Sequence, residues 1–263
     1  MPWLILQLKS QLFALSASHL KELVVAEQIT PVARTPPHIR GVVNLRGRVI
    51  PVVDLRKRLG MPGAPEEADA FCALMAEREQ DHRKWLNELE ASVKERRPFT
   101  LTTDPHRCAF GRWYDTYRAE NVWVAGLLRK FDEPHQRIHR LGDEVEAIKA
   151  TGQFEAALAS IERSREKGLN LMLSLFAELK VLTREAIHET LAVLSIEGAV
   201  VAVTLDVALS VEKLSAEELP SGSGARPDGL VRRVGRRSGQ SQPVMLLECE
   251  HLLDGARVPP GPA

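Results

Sequence analysis

The fold of this chain is decided by residues 39–56, which read IRGVVNLRGRVIPVVDLR. Valine, isoleucine and leucine fill both halves of this stretch, and Arg46-Gly47 separates them. The pattern predicts two short strands joined by a tight turn, because β-branched residues favour strands and glycine accepts the positive φ of a hairpin turn. Residues 1–60 share this texture, with apolar runs broken by Pro and Gly, which is typical of a small barrel or sandwich.

The same β texture returns near the other end of the chain. Residues 190–198 and 199–210 form two apolar runs, and Glu197-Gly198 between them predicts a hairpin turn. Residues 244–249 predict a last strand. The Ser-Gly run at 221–224 predicts a flexible loop.

The sequence between these β segments is helical in character. Apolar residues recur at spacings of three and four, which places them on one face of a helix. Arg97-Pro98 should end the first helix, and Pro134 should lie in the first turn of the third. The pattern predicts an antiparallel four-helix bundle with helices near residues 71–93, 108–129, 134–150 and 154–182, the last running straight into the second β segment.

The fold class predicted is therefore multidomain α and β, with a helical domain inserted into a discontinuous β domain. Such insertions succeed in surface loops whose two ends stay close together. The expected boundaries are 1–64 and 189–255 for the β domain, 65–188 for the insert, and 256–263 for a disordered tail.

Composition excludes several kinds of protein. Lys and Arg together number 35, as do Asp and Glu, and this balance argues against general binding to nucleic acid or membrane surfaces. No signal peptide and no apolar run of about 18–20 residues is visible, so we expect a cytoplasmic protein without membrane insertion. The three cysteines are far apart, which favours free thiols or a metal ligand over a disulfide framework.

One set of residues in the insert has the chemistry of a zinc site: His82, Cys108, His135 and His139. His135 and His139 are four residues apart, so a helix presents both on one face. His82 lies on the apolar stripe of the first helix, where an imidazole needs a partner. Three imidazoles and one sulfur form a tetrahedral zinc donor set.

Spacing alone leaves other interpretations open. A core histidine is usually satisfied by a hydrogen bond, and a buried cysteine usually behaves as a small hydrophobe. His106 competes as a ligand, although it precedes the second helix and should be exposed. Cys72 is ten residues before His82, about 15 Å along a helix, and should not join the site.

The insert resembles the chemoreceptor zinc-binding (CZB) domain family. The resemblance rests on His82-x-x-Trp85, on Cys108-x-Phe110-Gly111-x-Trp113, and on His135-x-x-x-His139. It implies a four-helix bundle in which the three histidines and Cys108 bind zinc. It also implies that Gly111 allows close helix packing, and that Trp85 and Trp113 shield the metal. The resemblance implies a possible homodimer through this domain.

The β segments resemble the CheW-like coupling family, through residues 39–56 and more weakly through the later hairpin with Asp206. The resemblance implies a double SH3-like β-barrel without catalytic residues. It implies that the protein links the cytoplasmic tip of chemoreceptors to the regulatory domain of the histidine kinase CheA. The partner interface would include Asn44, Arg46, Gly47, Arg48 and Asp54.

The function predicted is a chemotaxis adaptor whose sensor domain responds to zinc or oxidants. One alternative is a zinc hydrolase, for which Glu133 or Glu144 would be the nearby base. Another is an adaptor in which zinc is purely structural. Residues 212–243 depart from the CheW-like pattern as a Gly- and Arg-rich loop, where the arginines between 226 and 237 could dock an acidic partner or remain solvated.

Overall fold

The computed structural model describes residues 1–26, 28–187, 190–219 and 228–253. The chain divides into two compact units: residues 1–64 with 188–263, and residues 65–187. We call these the β unit and the helical unit. The predicted loop at 221–224 and tail at 256–263 lie outside the described residues.

The β unit is built from eleven described strands in two sheets. A six-stranded sheet has the order β8-β1-β2-β11-β10-β9, and a five-stranded sheet has the order β3-β6-β7-β5-β4. The strands are β1 Pro2–Leu8, β2 Gln11–Ser16, β3 Leu20–Val25, β4 Ile39–Leu45, β5 Arg48–Val53, β6 Thr190–Ile196, β7 Ala199–Leu205, β8 Val207–Lys213, β9 Ser215–Glu218, β10 Val231–Arg236 and β11 Pro243–Leu247.

Both sheets combine strands from before and after the helical unit. β1 pairs antiparallel with β8, and β5 pairs parallel with β7. Neither sheet can therefore form from one segment alone, since the β1–β8, β2–β11, β3–β6 and β5–β7 pairings each join residues more than 100 positions apart. This topology is that of a single β unit interrupted by the helical residues.

The buried side chains explain why two sheets form. Alternate residues of a strand face opposite sides of its sheet. On β1, Leu4 and Leu6 enter a core shared by both sheets, whereas Trp3 and Ile5 enter a second cluster on the other face. The five-stranded sheet has its own second cluster, around Val52. Besides the shared core, each sheet thus has an apolar cluster of its own.

Two predicted features of the β unit are wrong in detail. Residues 199–210 are not one strand, because the chain leaves β7 at Asp206 and enters β8 in the other sheet. Residues 212–243 are not a simple loop, because β9 and β10 lie within them. A 3-10 helix at Cys249–Leu253 follows β11.

The helical unit contains the helices that carry the functional residues. A short helix, α1 Leu55–Arg58, belongs to the β unit and precedes them. The others are α2 Ala64–Lys94, α3 Ala109–Thr116, α4 Val122–Arg129, α5 Asp132–Ala150, α6 Phe154–Ser164 and α7 Asn170–Glu185, with a π-helical turn at Arg165–Leu169 joining the last two. The predicted first, third and fourth helices correspond to α2, α5 and the α6–α7 pair.

The predicted second helix is wrong, since residues 108–129 form two short helices. Tyr117 is extended, with φ −71° and ψ 137°, and ends α3. Asn121 begins α4, because its side-chain oxygen accepts hydrogen bonds from the backbone N–H groups of Trp123 and Val124 at 2.9 and 3.1 Å. This N-cap satisfies donors that a new helix leaves unpaired, and it is the local signal for the break.

Candidate metal centre

Four side chains from three helices converge inside the helical unit. His82 lies in the middle of α2, Cys108 is the N-cap residue of α3, and His135 and His139 project from α5. Their potential ligand atoms all lie within 4.8 Å of one another. A zinc ion at about 2.1 Å from nitrogen and 2.3 Å from sulfur holds its donors roughly 3.5 Å apart. A small inward movement of these side chains is therefore enough to form a tetrahedral shell.

The helix geometry explains the pairing on α5. Residues four apart share one face, and the ring centroids of His135 and His139 are 4.9 Å apart. The ring of His82 faces both, with centroid distances of 5.2 and 5.8 Å. The three rings come from two helices that pack against each other.

Hydrogen bonds orient two of the imidazoles for metal binding. Nδ1 of His82 lies 2.7 Å from the carbonyl oxygen of Arg78, and Nδ1 of His139 lies 3.2 Å from that of Thr102. A carbonyl can only accept, so each Nδ1 carries the proton and each Nε2 presents a lone pair. Both Nε2 atoms are buried and have no hydrogen-bond partner. Buried lone pairs without a donor are costly, and a metal ion would satisfy them.

Cys108 completes the donor set. Its sulfur lies 3.2 Å from Nε2 of His135 and accepts the backbone N–H of Gly111 at 3.1 Å. The same sulfur is 3.3 Å from the carbonyl oxygen of Pro105. The helix N-terminus favours negative charge on this sulfur, which is the form that binds zinc.

The protonation states also suit a metal site. Burial first, and the neighbouring imidazoles second, lower the pKa of His135 to about 2, while burial and His82 lower that of His139 to about 4. Burial likewise lowers the pKa of His82. All three imidazoles are therefore neutral near pH 7. Burial raises the pKa of the Cys108 thiol, although the backbone N–H groups of Gly111 and Phe110 act to lower it. The thiol therefore holds its proton near pH 7, and a metal ion must displace that proton to bind the sulfur.

Aromatic rings enclose the cluster, although not all of those predicted. The ring centroid of Trp85 is 5.1 Å from that of His139, and its Nε1 donates to the Thr102 carbonyl at 2.8 Å. Trp113 instead stacks on Tyr117 at 4.6 Å. Phe110 takes the expected place, with its ring 5.0 Å from His135 and 5.7 Å from His82.

The role expected of Gly111 needs correction. A Cβ atom built on Gly111 would lie 1.8 Å from the carbonyl oxygen of Pro105. The glycine therefore makes room for the backbone of the preceding loop rather than for another helix. Sequence reasoning also missed the carbonyls of Arg78 and Thr102, because no residue type marks a backbone acceptor.

The competing residues lie apart from the cluster. His106 is exposed, and its Nδ1 lies 3.0 Å from the carboxylate of Asp115. Cys72 is buried, with its sulfur 3.5 Å from the carbonyl oxygen of Lys180. Glu133, an exposed residue, pairs with Arg137 at 3.2 Å, and Glu144 is also exposed.

The predicted partner interface is a hairpin turn between β4 and β5. Arg46 and Gly47 have φ of 53° and 82°, and the side chain of Arg46 is 83% exposed while pairing with Glu22 at 2.8 Å. The side chain of Asn44 accepts the N–H of Gly47 at 3.0 Å, and Arg48 is exposed. The turn is therefore an accessible surface held by a hydrogen bond within the turn.

Asp54 does not share that surface. It is buried and caps α1 by accepting the backbone N–H of Lys57 at 3.0 Å. Asp206 is also structural, because Arg56 donates to its carboxylate at 2.6 and 2.8 Å where the chain changes sheets. Neither carboxylate is placed to anchor a partner.

Two of the four described arginines in the arginine-rich segment form ion pairs within the β unit. Arg233 donates to Glu248 at 2.8 Å, and Arg237 donates to Glu212 at 3.0 Å. Arg226 lies outside the described residues. Throughout the described part of the chain, no helix combines the length and apolar character needed to cross a bilayer.

Two family models match parts of this chain. Residues 2–83 match the CheW-like domain, and residues 82–146 match the chemoreceptor zinc-binding domain. The second match contains all four potential ligands. The first covers the β4–β5 hairpin and continues into α2, past the boundary of the β unit.

Parts of the chain are also similar to individual known proteins. The chain is 46% identical over 50 residues to the chemotaxis protein CheW of Bacillus subtilis, covering 19% of this chain and 32% of that protein. It is 38% identical over 55 residues to the chemotaxis protein CheW of Thermotoga maritima, covering 21% and 36%. The chain thus spans about a third of the length of these relatives. The scaffolding protein TtCheW of Thermoanaerobacter tengcongensis aligns over 96% of this chain and 92% of its own, with 13% identity and a TM-score of 0.45.

Proposed function

We propose that this chain, which matches the CheW-like domain over residues 2–83 and the chemoreceptor zinc-binding domain over residues 82–146, is a chemotaxis adaptor with a built-in metal-dependent sensor. Its β unit would couple chemoreceptors to the histidine kinase CheA. Its helical unit would hold zinc through His82, Cys108, His135 and His139. The observation that carries this proposal is the convergence of those four donors within a unit inserted into the adaptor fold.

An adaptor role fits the donor set better than catalysis does. Catalytic zinc usually has three protein ligands and keeps one position open for water or substrate. Four protein donors fill a tetrahedral shell. Glu133 and Glu144, the bases considered for a hydrolase, face solvent, and Glu133 is paired with Arg137. These features favour sensing or a structural role over hydrolysis.

The β4–β5 turn is the proposed contact with the regulatory domain of CheA or with the receptor tip. Exposed arginines flanked by rigid backbone are common interface anchors, because little entropy is lost when they bind. Arg46 and Arg48 supply two such cations on one turn. Reversing the charge in R46E should weaken kinase binding, whereas R34E, at another exposed arginine with positive φ, should not.

The sensor step would act through the sulfur ligand. A metal-bound thiolate is a good target for oxidants, and its loss removes one of four ligands. Zinc would then bind more weakly, and the two buried Nε2 atoms of His82 and His139 would lose their partner. The resulting rearrangement of the helical unit is the proposed signal.

The test is binding of the isolated CheA regulatory domain to the full chain, with zinc present and after chelation. The proposal predicts one zinc per chain and an affinity for the kinase domain that changes with zinc. The variant C108A should lose zinc and behave like the chelated protein at all zinc levels. C72A is the matched control, since it removes a buried sulfur from the same unit without touching the donor set.

The outcomes distinguish a sensing role for zinc from a structural one, and an adaptor from a protein of another function. Zinc-independent binding to the kinase domain would keep the adaptor and make zinc structural. Failure to bind the kinase domain or a receptor tip under any condition would overturn the adaptor function. Sedimentation with and without zinc would also show whether the helical unit brings two chains together.

A further inference from the structure

A cavity opens beside the metal centre in the helical unit. Its volume is about 330 Å³, and its wall includes three of the four proposed ligands, His82, Cys108 and His139. Pockets that bind small molecules begin at about 300 Å³, and this space is far larger than a metal ion requires. A molecule in the cavity would therefore lie against the sulfur of Cys108 and two imidazoles.

The rest of the wall favours an uncharged occupant. Trp85, Leu101 and Phe110 contribute apolar surface. The two ionisable side chains besides the ligands, Asp81 and Lys84, carry opposite charges and give no net attraction for either sign. An ion entering such a space would lose hydration without gaining a counter-ion, which is costly.

We propose that this cavity is a binding site that admits small uncharged molecules to the sulfur of Cys108. This proposal rests on the proposed function and specifies the chemical class of stimulus that reaches the sulfur ligand. The site itself requires no kinase and no receptor. Its failure is therefore distinguishable from failure of the adaptor function, which is tested by partner binding.

Two alkylating reagents of similar size provide the probe. Iodoacetamide is neutral and iodoacetate is anionic. In both, the thiolate sulfur of Cys108 forms a bond to the methylene carbon as the carbon–iodine bond breaks. Iodide leaves, and the zinc ion loses its sulfur ligand. Mass spectrometry of the peptide containing Cys108 measures the rate, and a colorimetric chelator follows zinc release from the zinc-loaded full chain.

The reference is the same peptide in the denatured chain, where no cavity surrounds Cys108. In the folded protein, the ratio of the iodoacetamide rate to the iodoacetate rate should exceed that reference by about tenfold, the factor given by roughly 1.4 kcal/mol of lost hydration. This comparison needs no variant, so misfolding cannot obscure it.

A second comparison fills the cavity. L101W places a larger side chain at a wall position that is 43% exposed, and it should slow alkylation by iodoacetamide several-fold. L171W is the matched control, because Leu171 is 49% exposed on α7 and does not line the cavity. Equal zinc content and helicity in both variants confirm that they fold.

Two results would overturn the proposal. One is a folded-state rate ratio equal to that of the denatured chain. The other is an iodoacetamide rate that L101W and L171W leave equally unchanged. Either would mean that reagents reach Cys108 without passing through this cavity.

Discussion

The clearest steric constraint at the metal centre is at Gly111, and it makes a sharp prediction for G111A. The added methyl carbon would lie 1.8 Å from the carbonyl oxygen of Pro105, about 1.6 Å short of the 3.4 Å at which ordinary contact begins. It would also lie 2.9 Å from the Pro105 carbonyl carbon. The three nearest atoms all belong to the backbone of Pro105 and His106, so no flexible side chain can move aside. The loop before α3 must shift as a whole.

That shift should cost both stability and metal affinity. Overpacking of this kind typically costs about 1–3 kcal/mol of unfolding free energy. The sulfur of Cys108 contacts both the Pro105 carbonyl and the Gly111 N–H, so the displaced loop also moves a proposed ligand. We expect zinc to bind G111A at least about tenfold more weakly, which corresponds to about 1.4 kcal/mol.

The matched control is G126A in α4. A methyl group there would have its nearest neighbour at 4.0 Å, the flexible end of Arg129. Alanine should therefore stabilise that helix by roughly 0.5–1 kcal/mol. The two variants make the same chemical change within short helices of one unit, and they should move stability in opposite directions.

Denaturant unfolding measures the difference. Three of the four tryptophans, Trp85, Trp113 and Trp123, lie in the helical unit and report its unfolding by fluorescence. Competition with a chelator of known affinity gives the zinc dissociation constant. If G111A has the unfolding midpoint and zinc affinity of the unsubstituted chain, the contact with Pro105 does not constrain the site and this reasoning is wrong.

Three further outcomes follow from the same centre. The imidazoles of His135 and His139 are already neutral at pH 7, whereas Cys108 holds a proton, so zinc binding should release about one proton per ion. Calorimetry in buffers of different ionisation enthalpy measures the number of protons released, and a release of three or more protons per zinc ion would contradict this. In the metal-free chain, the folded pKa values of about 2 and about 4 for these histidines lie below the usual 6.5, so the unfolded chain binds the extra protons as pH falls below 6.5. Stability should therefore decline from pH 6.5 toward pH 4, and a urea midpoint that stays flat over that window would refute it. W85F keeps an aromatic ring but removes the donor to the Thr102 carbonyl, so it should lower the unfolding free energy by about 1 kcal/mol in denaturant titrations; no change would mean that the loop is held without this hydrogen bond.

Local signals predicted much of this molecule because their physics is local. Glycine after a residue that tolerates positive φ predicted both hairpin turns. The structure has φ of 53° and 82° at Arg46-Gly47, and 49° and 86° at Glu197-Gly198. A spacing of four on a helix placed His135 and His139 on one face, as the structure does. Each of these features depends on a few adjacent residues.

Features that depend on distant partners were not predictable in the same way. Residues 199–210 read as one apolar run, yet Asp206 ends β7 because Arg56 and the N–H of Lys9 bind its carboxylate there. Their positions cannot be inferred from spacing. Gly111 illustrates the same limit, since its neighbour Pro105 is close in sequence but contacts it only after the loop has folded back.

The break between α3 and α4, at residues 117–121, has a local signal in the sequence, but the spacing of the apolar residues conceals it. Apolar residues continue at helical spacing from α3 into α4, so one long helix was expected. Asn121 carries the contrary information, because its side chain caps a new helix. Polar cap residues should therefore override apolar periodicity when short helices are predicted.

The helix that carries His82 also begins at the boundary between the two units. α2 starts at Ala64, and His82 is 18 residues further along, about 27 Å at 1.5 Å per residue. The helix at the other crossing carries none of the four proposed ligands, and α7 ends at Glu185 before β6 begins at Thr190, with residues 188 and 189 outside the described part. The expectation that the last helix runs straight into the β unit is therefore wrong.

A rigid helix can transmit a rotation or shift from one of its ends to the other, and α2 is the helix at a crossing that carries a proposed ligand. If zinc changes kinase binding, we therefore expect α2 to carry the change. Inserting Gly-Gly after Ala64 should abolish the zinc dependence of binding to the CheA regulatory domain while leaving zinc stoichiometry at one per chain. The same insertion after Ile187 is the matched control and should preserve the dependence. Equal loss from both insertions, or loss only from the second, would assign the coupling to a route other than α2, because only the first insertion lies between the β unit and the helix that holds His82.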